Sequence, residues 1–357
     1  MIYLDYQATT PLAPEAREAM IKHLDGPEGT GFGNPHSPHR LGRQAAAAIE
    51  VAREKVAALF PSGGRVIFTG GATEALNLAI RGTSGQSAVA FSATEHSVVG
   101  DTAKAAGAYE VLGVGSDGLC DPAQNIPASA RMIAVMQVNN EIGTRQPVEQ
   151  WAARAKQMGA LTLIDGVQAY GKMPLADSDM IAISGHKFHG PKGIGALWVR
   201  DGVELTEQQT GGGQEHGLRS GTLSPALIAG MGAAAALAAE RMDEDAAHVE
   251  ALWERARDMF ADWTLNGSAD DRWHGNLNLR RDGLDVGRLM SEVRTVMFSA
   301  GSACASGSGR PSHVLKAIGL SDAQAKSSIR LGFGRYTKLE ELEEAAKLIN
   351  NAAAQQF

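Results

Sequence analysis

Six short, unbroken apolar runs constrain how this chain folds more than any other feature. They are Arg65-Val66-Ile67-Phe68, Ala88-Val89-Ala90-Phe91, Met132-Ile133-Ala134-Val135-Met136, Leu161-Thr162-Leu163-Ile164, Met180-Ile181-Ala182-Ile183 and Ala196-Leu197-Trp198-Val199. A strand with one wet face alternates polar and apolar residues, whereas runs without alternation suit strands buried on both faces. Helical patterns separate them, at 40–59, 73–81, 97–107 and 148–158. That order predicts an α/β fold with a mostly parallel sheet between helices. Beyond a long helical stretch at 225–260 the grammar changes. Strand patterns at 276–279, 296–298 and 329–331 mix with helical ones at 284–294, 312–318 and 338–354, which predicts a smaller α+β domain. The expected division is 15–250 for the large domain, with 1–14 and 251–357 forming the small one.

Charge and composition exclude other classes. Lys and Arg number 33 against 40 Asp and Glu, a formal net charge of −7, so there is no basic nucleic-acid footprint. No apolar run reaches the ~18 residues of a membrane span, the nearest being the Ala- and Gly-rich Ala226 to Ala239, and no basic-then-apolar leader opens the chain. The two cysteines, Cys120 and Cys304, make neither a disulfide framework nor a tetrathiolate zinc site, so a reducing cytoplasm is expected.

Ligands of open parallel sheets lie beyond the carboxyl ends of the strands. Polar clusters follow five of the runs: Thr69 to Glu74, Ser92 to His96, Val138 to Glu141, Asp165 to Gln168, and Ser184 to Lys187. Gly70-Gly71-Ala72-Thr73 opens a helix and suits a phosphate, although an ordinary threonine N-cap would read the same way. Lys187, bracketed by glycines beside Ser184 and His186, is a candidate Schiff-base amine. Asp165, one strand earlier, suits a pyridinium nitrogen. His96 is a candidate ring partner or acid–base group. The Gly113 to Gly118 pattern is G-x-G-x-x-G, but no helix follows it, so it is a glycine turn. His36-x-x-His39 has no obvious third ligand, and no metal is expected. Cys304 lies among Ser302-Ala303-Cys304-Ala305-Ser306-Gly307-Ser308-Gly309, where almost no side chain is available for anchoring. A mobile loop over about 299–311 that delivers a thiol is the reading of that segment.

Together these motifs resemble the cysteine desulfurases of the nitrogen-fixation and iron–sulfur-cluster type, pyridoxal-phosphate enzymes of aminotransferase fold type I. The resemblance runs almost end to end, through Tyr3-Leu4-Asp5-Tyr6, Gly33-Asn34-Pro35, Gly71 to Glu74, Thr94-Glu95-His96, Val138 to Gly143, Ser184 to Gly195, Arg219-Ser220-Gly221-Thr222, Gly301 to Cys304 and Ser327 to Arg330. It implies pyridoxal 5'-phosphate on Lys187, ring contacts from His96 and Val167, Asp165 on the ring nitrogen, and Gln168 and Asn140 near the ring oxygen or substrate. Ala72, Thr73, Ser184 and His186 would hold the phosphate. Thr222 would reach the phosphate of a partner subunit, which implies a homodimer. Asn34 and Arg330 would clamp the carboxylate of L-cysteine, and Cys304 would take its sulfur for a sulfur-acceptor protein. Gly166 and His216 depart from the family pattern, and the chain has little of the C-terminal tail of many relatives, which puts docking of a scaffold there in doubt. A selenocysteine lyase or an aminotransferase on the same fold is the alternative.

Overall fold

A computed structural model describes residues 1–84, 88–301 and 311–357. The elements of the first part are β1 (Ile2–Tyr3), α1 (Pro14–Ile21), α2 (Arg40–Ala57), β2 (Gly64–Thr69), α3 (Ala72–Ser84), β3 (Ala88–Ser92), α4 (Ser97–Ala106) and β4 (Tyr109–Leu112). Then come β5 (Ala130–Met136), α5 (Val148–Met158), β6 (Leu161–Asp165), β7 (Met180–Ser184), β8 (Gly195–Arg200) and α6 (Pro225–Met259). The rest holds β9 (Thr264–Leu265), β10 (Asn276–Arg280), α7 (Val286–Glu292), β11 (Val296–Met297), β12 (Ser299–Ala300), α8 (His313–Ala317), α9 (Asp322–Lys326), β13 (Ser328–Gly332) and α10 (Leu339–Ala354).

All six apolar runs are strands of one seven-stranded sheet, in the order β2-β8-β7-β6-β5-β3-β4. Only β8 opposes its neighbours, β2 and β7, and the other pairings are parallel. Every residue of β3 and β7 is buried, as a sheet covered on both faces requires. Local chemistry sets the helix ends. Pro147 precedes α5 and Gly159 closes it at φ +65°, a left-handed value that glycine adopts without strain. Ser224 caps α6 through the Leu227 N–H, and Pro225 occupies its first turn.

α6 contributes to two cores. Ile228, Met231, Ala234 and Ala235 pack with the large sheet, whereas Val249, Leu252, Trp253 and Ala256 pack with the second core. That second core also takes Ile2 and Leu4 from the N-terminus, because β1 pairs in parallel with β11. Its main sheet is antiparallel, in the order β12-β13-β10-β9. After β1 the chain crosses to the large sheet, where Thr10 N donates to His186 O at 2.9 Å and Ala13 N to His189 O at 2.9 Å. Residues 7–10 are thereby laid over the turn that carries Lys187.

No described helix is long and apolar enough to cross a membrane.

Candidate active site

The carboxyl ends of the parallel strands open into one cavity of about 890 Å³. Ala72, Thr73, His96, Asn140, Asp165, Val167, Gln168, Ser184, His186, Lys187 and Arg330 all line it. These are eleven of the fourteen residues singled out from the sequence. They meet because each follows a strand of the same sheet or, for Arg330, belongs to β13 of the second one.

Lys187 ends a single 3-10 turn, Gly185–Lys187, directly after β7. Its Nζ donates to the carbonyl oxygens of Gln7 at 2.5 Å and Ala8 at 2.9 Å. Asp165, the last residue of β6, is buried and accepts the Val167 N–H on Oδ1 at 3.0 Å. Burial raises its pKa above the ordinary carboxylate value, with His96 and Lys187 opposing the shift. His96 caps α4 by accepting the Val98 N–H on Nδ1 at 3.3 Å. Burial lowers its pKa, against the pull of Asp165. His186 is pushed down to about 4 by burial and then by the charges of Lys187, Lys192 and Lys172, so its imidazole is neutral at pH 7. Its Nδ1 is 3.1 Å from Thr9 Oγ1.

The N-terminus of α3 faces Ser184 across Gly71, which has φ +152°. A Cβ on Gly71 would stand 3.8 Å from Ser184 Oγ, so glycine leaves this cradle open. Gly195 of β8 approaches Gly71 so closely that its own Cβ would come within 2.7 Å of it. Glu74 Oε2 accepts the Gly70 N–H at 2.6 Å, and Arg219 pairs with Glu74 at 2.6 Å, which braces the cradle from outside. Arg330 is buried, with Nη2 on Asp5 Oδ1 at 2.7 Å and Nη1 on the Asn140 carbonyl at 2.9 Å. Its Nε is buried and without a hydrogen-bond partner among the described residues, which leaves one donor for an anion.

Three expected site residues do not meet the rest. Asn34 is exposed, outside the cavity wall, and its Oδ1 accepts the His36 N–H at 2.9 Å. Thr222 is exposed and lines no part of the cavity formed by this chain. Cys304 lies outside the described residues. Among the described residues no group of three or more metal-ligating side chains occurs, and His39 caps α2 through the Gly42 N–H. Gly113 to Gly118 makes a turn closed by Gly118 N donating to Gly115 O. Of the two departures, Gly166 packs under β7, where a Cβ would come within 2.8 Å of Ile181 Cγ2. His216 is exposed, with a left-handed backbone at φ +59°.

Sequence reasoning missed Gln7, whose carbonyl receives both Lys187 Nζ and Gln168 Nε2. It also missed Asp5 on Arg330, Lys172 behind Gln168, and the buried carboxyl of Glu95. Gln7 is placed where residues 7–10 cross the Lys187 turn and Asp5 by its bridge to Gly332, and no local sequence pattern marks either.

The residues fit pyridoxal 5'-phosphate. A buried carboxylate with a raised pKa suits a ring N–H cation, and the Gly71 cradle with neutral His186 suits the phosphate. A mostly parallel sheet that presents an amine, a carboxylate and an imidazole to one such cavity defines a fold type I pyridoxal-phosphate enzyme. The aminotransferase class-V family model matches residues 2–344, and the chain belongs to that family. "Cysteine desulfurase IscS" of Rickettsia bellii is 39% identical over 372 aligned positions, covering 98% of this chain and 90% of that protein. The solved "NifS-like protein" superposes with a TM-score of 0.90 at 28% identity, covering 99% of both chains. A structure titled "SspA in complex with cysteine" superposes with a TM-score of 0.82 at 33% identity, covering 95% of this chain and all of that one.

Proposed function

We propose that this protein is a pyridoxal-phosphate-dependent cysteine desulfurase. It removes sulfur from L-cysteine, releases L-alanine, and holds the sulfur as a persulfide on Cys304 for an acceptor protein, in iron–sulfur cluster assembly or tRNA thiolation. The carrying observation is that Lys187, Asp165, His96 and Arg330 wall a single cavity at the strand ends. The desulfurase relative, matched over 98% of the chain, supports the same reading, as does the related SspA structure with cysteine. We place the working enzyme in the cytoplasm as a homodimer, with its large domain over 15–250 and its small domain formed by 1–14 and 251–357.

Pyridoxal phosphate, when bound, supplies an electron sink for the substrate's α-carbon. The chain's residues do the rest. Asp165 would hold the ring nitrogen, His96 and Val167 the two ring faces, and Ala72, Thr73, Ser184 and His186 the phosphate. Lys187 Nζ would carry the cofactor and later move the α-proton as a free amine. The buried Nε of Arg330 would orient the substrate carboxylate, with Asn34 as a second clamp and Asn140 beside it. Cys304 attacks the substrate sulfur as a thiolate, because the thiol is a far weaker nucleophile. One S–S bond forms as the substrate C–S bond breaks; the electron pair of that bond passes to the β-carbon, which takes a proton, and return of the α-proton completes alanine.

The test is direct. The pure protein should be yellow and should convert L-cysteine to alanine, with sulfide released by added reductant. Keto-acid formation without sulfide would make it an aminotransferase instead. Cys304→Ser should keep cofactor and colour change with L-cysteine but release no alanine.

A further inference from the structure

Lys172 is a lysine for which the chemistry above has no use. It follows Gln168 by four residues in the tight turns after β6, which places both side chains on one face. Its Nζ lies 3.3 Å from Gln168 Oε1. The other end of that amide, Nε2, donates to the Gln7 carbonyl at 3.0 Å. A carbonyl only accepts and an ammonium only donates, so the two contacts fix the amide's orientation from both sides. One Nε2 hydrogen is then taken by Gln7, and the second is left for the cavity that Gln168 lines. The same Gln7 carbonyl receives Lys187 Nζ, so both lysines and the amide form one connected set.

Nothing else accounts for Lys172. No carboxylate lies within ion-pairing distance of it among the described residues. It lines a small cavity of about 30 Å³ with Gln7, Thr10, His189, Asp245 and Arg335. Asp245, the one carboxylate on that wall, is already paired with Arg335 at 2.6 Å. A lysine placed there without a counter-ion is costly for folding alone.

We propose that Lys172 is a positioning residue that locks the Gln168 amide with its NH₂ towards the cofactor's ring oxygen and places a cationic neighbour behind Lys187. The proposal rests on the pyridoxal-phosphate reading above. The charged and titratable groups facing Lys172 are Lys187, His186, His189 and Tyr6, together with Arg335 and Asp245. Burial and the charge of Lys187 bring the Lys172 pKa down to about 7, so the amine titrates in the working range.

The test is a spectral pH titration of the holoenzyme, with Lys172→Met, Lys172→Gln and Lys172→Arg beside the wild type. The readout is the pH midpoint at which the visible band of the bound cofactor shifts. Losing the cation and the amide lock both favour a proton near Lys187, so Lys172→Met should raise the midpoint by about 0.5 to 1 unit. Lys172→Arg, which keeps donor and charge, should restore it. If Lys172→Met does not fold, Lys172→Gln reads the same quantity, because it lacks the charge but keeps polarity. A wild-type midpoint in every uncharged variant that folds would overturn the proposal. A purely structural lysine would lower thermal stability and leave the midpoint unmoved. A wild-type protein without a visible band would instead refute the cofactor reading.

Discussion

Glu95 has a buried carboxyl whose Oε1 accepts the Met136 N–H at 2.6 Å and whose Oε2 has no partner among the described residues. Burial, then the nearby Asp165, holds its pKa well above the ordinary 4.5. Such a carboxyl binds its proton more tightly in the folded state. Its contribution to stability is therefore complete below the unfolded pKa and is lost as pH rises towards the folded one. Glu95→Gln keeps the acceptor for Met136 and removes the ionisation. The variant should melt a few degrees higher than wild type at pH 8 and show little difference near pH 4. Scanning calorimetry at both pH values checks this, and equal melting at pH 8 would count against it. At the same scale, Lys187→Ala should abolish turnover, and borohydride reduction of wild type followed by peptide mapping should place the cofactor adduct on Lys187. An adduct on Lys192, which also lines the cavity, would sink the assignment. Lys187, Asp165 and His96 were legible because each follows an apolar run. Gln7 and Lys172 were not, and of Glu95 only its place beside His96 was, not its burial. The partners of Gln7 are 161 and 180 residues away, and nothing in the local pattern marks Glu95 as buried or sets Lys172 against the Gln168 amide.

At the scale of elements, the six unbroken runs and the helices 148–158 and 225–260 read almost to the residue. β4 was missed because it is an edge strand: Tyr109, Glu110 and Val111 are exposed, and only Leu112 carries the apolar signal. The two-residue strands β1, β9 and β12 are too short for any period to show, whereas β11 falls within the 296–298 strand pattern. The segment after β8 was read through Arg219 to Thr222 and His216, yet its anchor is ionic and lies at Glu215. Glu215 is buried and takes both Arg53 Nη atoms at 2.8 Å and the Phe68 N–H at 2.7 Å. It does so from a left-handed backbone at φ +48°, a conformation that the surrounding contacts must hold. Glu215→Ala leaves Arg53 with only Glu50 and the Val66 carbonyl and leaves the buried Phe68 amide without this acceptor, at a cost of about 2 kcal/mol. Phe68 precedes the Thr69–Thr73 cradle, so the damage should reach the cofactor. The expected result is a lower urea midpoint together with faster loss of pyridoxal phosphate on dialysis. Normal retention in a clearly destabilised variant would separate the anchor from the cradle.

For the whole molecule, the large core and the second core each close within one chain, whereas the proposed cofactor site is predicted to be completed by a second copy. Thr222, expected on the phosphate, is exposed and away from this chain's cavity, as the shared-site prediction requires. Leu12, Ile21, Leu24, Phe32 and Val51, all near α1 and α2, are exposed apolar side chains of the kind a subunit contact would cover. The prediction is a dimer of about 75 kDa whose two sites each combine Lys187 of one subunit with Thr222 of the other. Mixed dimers distinguish this from sites built within one chain. Lys187→Ala and Thr222→Ala subunits are co-expressed with different tags, and the heterodimer is isolated by two affinity steps. If sites are shared, one site carries both substitutions and the other carries none. The heterodimer should then show about half the wild-type alanine release, with wild-type cofactor retention at its one intact site. If each site belongs to one chain, one site lacks the amine and the other lacks the threonine, so no site with wild-type retention exists. A heterodimer no better than the Thr222→Ala homodimer, or a fully active monomer by light scattering, would refute the shared site.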